Sequence, residues 1–81
     1  MREPESVETR IELVGYIEAL RHDLAANPNG WENATLDDFL EALEAYTRDI
    51  DGWFANRGEL MPEQPTWKLV AQLLTGARIY E

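Results

Sequence analysis

The chain of 81 residues has no cysteine, one histidine and one serine. The absence of cysteine rules out a disulfide framework and any thiolate metal site. A Ser-His-Asp triad would have to join Ser6 to His22, which lie about 24 Å apart if one straight helix carries both. That distance excludes the triad. No stretch approaches the ~18 uninterrupted apolar residues of a membrane span. The polar start Met1-Arg2-Glu3-Pro4-Glu5-Ser6 is no apolar leader, so a cytoplasmic location is expected. Basic residues are also scarce: seven Lys and Arg face sixteen Asp and Glu, a formal net charge of −9. Without a basic stripe to displace counterions, nucleic acid is not an expected partner. A basic protein is, because the field of an acidic domain speeds encounter with one; the same acidity also serves plain solubility.

Three Trp, three Tyr and two Phe stand against these absences. A domain of this length buries only about 60% of the surface its unfolded chain exposes. Large rings, each removing roughly 150–250 Å² from water, therefore carry much of the core.

The spacing predicts an all-α, compact three-helix domain occupying residues 1–81, with helices at about 6–26, 35–55 and 66–79. Ser6 is the expected cap of the first helix. Val7, Ile11 and Val14 together with Leu13, Ile17, Leu20 and Leu24 form its apolar face. A second stripe of small residues, Gly15, Ala19, His22 and Ala26, offers close approach to a neighbouring helix or to another copy. Asn27-Pro28-Asn29-Gly30 is a turn signal, and the short connection predicts that helices one and two form an αα-hairpin. In the second helix Thr35 is the expected cap, with Asp38 closing a capping box. Leu36, Phe39, Leu40, Leu43, Tyr46, Ile50, Trp53 and Phe54 make one stripe, and Asn56-Arg57-Gly58 ends it. Leu60 and Met61 are expected to tuck under a Pro-containing loop. Thr66 caps the third helix, whose composition makes it the most buried of the three.

Chemistry-bearing patterns are weak. Glu18 and His22 share one helix side, but a diiron-type site needs Glu-x-x-His and carboxylates from other helices. Asp49-Ile50-Asp51-Gly52 fails as a calcium loop because Thr47 and Gly58 fall where acids are required. Neither a metal nor a cofactor is expected, and no catalytic constellation marks an enzyme. Two sets of residues remain as candidates. Asp37, Glu41 and Glu44 line one side of helix two, either as a solvated face or as a surface for a basic partner. Trp31, Trp53, Trp67 and Tyr80 supply either core or an interface patch, since Trp and Tyr dominate binding hot spots.

Trp31-Glu32-Asn33, the run from Thr35-Leu36 to Leu43, Trp67 with Leu69 to Leu74, and the terminal Tyr80-Glu81 together resemble a family of small acidic bacterial domains of unknown function with a Trp-Glu-Asn and Tyr-Glu pattern. The similarity covers roughly residues 7 to 81. It implies a compact domain and transfers no catalytic residue. By size and charge alone the chain also resembles immunity proteins that neutralise basic toxins. The leading expectation is thus a non-enzymatic protein interaction module, an inhibitor or immunity protein among its forms. A self-associating structural or regulatory protein, monomer or homodimer, is the alternative. A small-ligand binder or enzyme with a pocket between helices comes third.

Overall fold

The computed structural model describes residues 3–80. It contains three α-helices, α1 Arg10–Ala26, α2 Leu36–Asn56 and α3 Trp67–Ala77, with short 3₁₀ turns at Pro4–Ser6 and Pro28–Gly30. No strand occurs among the described residues, and none of their helices is long and apolar enough to cross a membrane.

Helix α1 starts four residues later than the expected 6, because Ser6 belongs to the turn initiated by Pro4. Its hydroxyl donates back to the Glu3 carbonyl at 2.7 Å. The cap is Thr9, which accepts from the Glu12 N–H at 3.1 Å while the Glu12 carboxylate accepts from the Thr9 N–H at 3.1 Å. At α2, Thr35 accepts from the Asp38 N–H at 3.2 Å, but the return bond expected of Asp38 is not made. An Asp side chain is one methylene shorter than the Glu that closes the box on α1. Gly58 ends α2 as expected. With φ at +70°, it lets its own N–H reach the Ala55 carbonyl and the Glu59 N–H reach the Phe54 carbonyl, a Schellman closure that a residue with a Cβ adopts only under strain. Thr66 caps α3 by accepting from the Leu69 N–H at 3.0 Å.

The expected hairpin of helices one and two is replaced by a different packing. Both α1 and α2 pack chiefly on α3 and touch each other less than either touches it. On one side of α3, Ala71 joins Leu13, Tyr16, Leu20, Val7 and Trp31. On the adjacent side Leu69 joins Ile50 and Phe54, with Tyr46, Trp53 and Leu73 against them. Clamped on both sides, α3 is the most buried helix, and Trp67 is its one exposed residue. Close approach is possible because Gly76 lies under the Tyr46 ring; a Cβ there would come within 2.2 Å of it, so a larger residue would push α2 away.

This arrangement corrects both predicted stripes. On α1 the inward face is Leu13, Tyr16, Leu20 and Leu24, whereas Ile11, Val14 and Ile17 are exposed. On α2 the inward face is Phe39, Ala42, Tyr46, Ile50, Trp53 and Phe54, and Leu36 and Leu40 stay in solvent at 74% and 51% exposure. The small-residue stripe is divided: Gly15 and Ala19 are half-buried, His22 and Ala26 exposed. Leu60 does not tuck under its loop but is 94% exposed, and Met61 is exposed beside it. The Pro-containing stretch from Glu59 to Thr66 forms no helix that would turn these two side chains toward the core.

Candidate functional site: the acidic face of α2

Asp37, Glu41 and Glu44 stand on the side of α2 that looks away from α3, and all three are exposed. Asp37 and Asp38 occupy the first turn, where the positive end of the helix dipole favours carboxylates. One carboxylate oxygen from each of Asp37, Asp38 and Glu41 lies within 4.8 Å of the others. Among the described residues no histidine and no buried carboxylate joins this group. Farther along, Arg48 reaches Glu44 at 3.8 Å, an exposed i,i+4 pair that contributes little to stability. The acidic row has an apolar border: Leu36 and Leu40 follow one another a helical turn apart beside Asp37 and Glu41. Sequence reasoning missed that border because it assigned both leucines to the core.

The four aromatic candidates separate. Trp31 is buried, at 9% exposure. Its ring stacks on Phe39 with centroids 6.1 Å apart, in the manner of a hydrophobic staple over the first turn of α2. Its indole N–H donates to Asp23 Oδ2 at 2.8 Å, and the same carboxylate oxygen lies 3.7 Å from Arg78 Nη1. The Arg78 guanidinium sits 5.6 Å from the Trp31 ring and donates through Nε to the Thr75 carbonyl at 2.8 Å. Asp23, Trp31 and Arg78 thus join the end of α1, the connecting segment and the end of α3. Trp53 is half-buried against Phe54. Trp67, at 44% exposure, is a surface residue and not part of the core.

Tyr80 packs back on the body. Its ring lies 4.9 Å from that of Tyr46, and its hydroxyl donates to Asp49. That hydrogen bond, aided by burial and by the Asp49 charge, raises the phenol above its ordinary value of 10.0; burial does the same for Tyr46. Glu81, the other half of the terminal pair, lies outside the described residues.

Asn33 does not bond within its own turn as an Asn before a helix commonly does. Its side-chain amide donates to the carbonyls of Ala77 at 3.0 Å and Tyr80 at 2.8 Å, and its backbone N–H donates to the Arg78 carbonyl at 2.9 Å. Carbonyls freed at the end of α3 are thereby satisfied from the segment before α2. Trp31 and Asn33 thus secure the last turn of α3 and the chain that follows it.

The groups considered for catalysis are dispersed. Ser6 sits in the turn before α1, and His22 is exposed beside the equally exposed Arg21 near the other end of that helix. Glu18 and His22 belong to no cluster of three metal-ligating residues among those described. A concavity of about 590 Å³ opens between the turn at Pro4–Ser6, the end of α2 and the start of α3, and Trp53, Phe54, Arg57, Glu59, Lys68 and Leu69 are among its lining. Its volume falls in the range of small-molecule sites. The Arg57 guanidinium is already engaged there, 4.7 Å from the Trp53 ring and 3.6 Å from Glu59 Oε1.

Comparison with known proteins adds the family and no activity. Residues 9–81 match a family of unknown function, DUF7660. No curated protein and no solved structure matches the chain. The buried Val7 and the turn at Pro4–Ser6 precede the matched region. The chain belongs to the DUF7660 family.

Proposed function

We propose that the domain is a non-enzymatic protein-binding module that uses the outer face of α2 to hold a basic partner. One observation carries this reading: the acidic row Asp37, Glu41 and Glu44 is bordered by two leucines in solvent, Leu36 and Leu40. Acids alone are explained by solubility. A leucine at 74% exposure next to them gains nothing in water, whereas a partner with an apolar ridge and flanking Lys or Arg would cover both. The charge then steers encounter and the leucines slow dissociation. An inhibitor or immunity role is the specific form in which the covered basic surface is the working site of the partner; small size and a net charge of −9 support it.

The test is affinity capture from the organism that encodes the chain, comparing the native protein with the neutral variant Asp37→Asn, Glu41→Gln, Glu44→Gln. A second variant, Glu3→Gln, Glu5→Gln, Glu63→Gln, removes the same number of exposed charges elsewhere. The expected result is a basic protein held by the native chain and the second variant, released by salt, and absent with the α2 variant. Identical capture by all three overturns the role of α2.

A further inference from the structure

The outward face of α1 carries a pattern unrelated to α2. Ile11 and Val14 are 65% and 54% exposed and Ile17, at the border with the core side, is 38% exposed, while Leu13, Tyr16 and Leu20 fill the core. The three exposed apolar residues follow at i, i+3 and i+6, and they are flanked by exposed Arg10 at one end and exposed Glu18 at the other. Among the described residues neither Arg10 nor Glu18 makes an ion pair.

Read outward from Val14, this face is self-complementary. Ile11 and Ile17 lie three residues to either side, and Arg10 and Glu18 four to either side. If a second copy of α1 runs antiparallel with its two-fold axis at Val14, Val14 meets Val14, Ile11 meets Ile17, and each Arg10 meets a Glu18. A two-fold contact requires this reciprocity. The parallel arrangement sets Arg10 against Arg10 and Glu18 against Glu18, so charge selects the antiparallel one. The strip around Val14 carries Arg10, Arg21 and Glu18, a slight positive excess, with the exposed Glu12 beside Ile11 at its edge, so the repulsion between two chains of net charge −9 is reduced where they would touch. A basic partner, suited to α2, finds no row of acids here.

We infer that α1 is the interface of an antiparallel homodimer centred on Val14, with two Arg10 to Glu18 pairs fixing its register. One helix face from each copy covers less area than a standard stable interface, so the dimer is weak and concentration-dependent. The acidic faces of α2 stay free for partners.

Sedimentation equilibrium of the full chain tests this from about 10 μM to about 1 mM, the range in which a weak association is half-formed. The mass should rise from 9.3 kDa toward twice that value. Val14→Glu brings two carboxylates together at the axis and should leave a monomer throughout. Arg10→Glu and Glu18→Arg should each raise the dissociation constant about fivefold or more, and the double exchange should restore it to within about twofold, since it re-forms the pairs with their signs reversed. All three positions are exposed, so helicity by circular dichroism should be unchanged. A monomer at every concentration, a dimer that survives Val14→Glu, or a double exchange no better than the single changes overturns the inference.

Discussion

Trp31→Ala should cost about 3–5 kcal/mol in urea unfolding followed by circular dichroism, the range for emptying a large aromatic site. Total stability for a domain of 81 residues, at about 0.05–0.15 kcal/mol per residue, is on the order of 4–12 kcal/mol. The variant is therefore expected to lose at least about a quarter of that stability, and all of it where the native value lies at the low end of the range. Three losses combine: the Phe39 stack, the indole hydrogen bond to Asp23, and the cover over the Arg78 guanidinium. Trp31→Phe separates them. It keeps an aromatic ring for Phe39 but removes the N–H, and Asp23 retains Arg78 at 3.7 Å, so it should fold with a much smaller loss. A Trp31→Ala variant within about 1 kcal/mol of the native chain would mean that this ring is not what joins α1, α2 and α3.

The second large effect lies at the fully buried phenol of Tyr16. Thr75 Oγ1 spends its only proton on the Ala71 carbonyl at 2.6 Å, so the 2.6 Å contact between Tyr16 and Thr75 must be donated by Tyr16. This direction makes the two deletions unequal. Tyr16→Phe removes the donor and leaves the half-buried Thr75 bonded to Ala71, a loss of about 1 kcal/mol. Thr75→Val keeps the shape but strands the Tyr16 hydroxyl with no water in reach, a loss of about 2–3 kcal/mol. The double variant should then be more stable than Thr75→Val alone, because no orphaned hydroxyl remains. Simple additivity of the two losses would show that the phenol finds another partner.

Much of the helical architecture was legible locally. Thr35, Thr66 and Gly58 act within four or five residues of themselves, so their neighbours in sequence suffice to identify them. Ser6 stands as the expected cap of the first helix and Thr9 is passed over, although Pro4 starts a turn that takes up Ser6 and Glu12 stands three residues after Thr9. Helix α1 misled because it is apolar on two sides; counting the Tyr16 ring as core would have picked out Leu13, Tyr16, Leu20 and Leu24. The contacts that organise the fold are non-local. Asn33 bonds residues 44 and 47 positions away, and Gly76 is exceptional only once Tyr46 lies over it. The acidic face of α2 was visible in sequence, while its leucine border and the outer face of α1 emerged only after α3 proved to be the helix that both others cover.

Native-state amide hydrogen exchange tests that central role of α3 most directly. With α1 and α2 both packed on α3, and Trp31 and Asn33 fastening its last turn, amides of residues 70–77 should exchange most slowly, only through global unfolding. The first turns of α2, around Leu36 and Leu40, should open locally and exchange faster. An α1 and α2 pair more protected than α3 would contradict the arrangement and restore the hairpin of the first two helices as the organising unit.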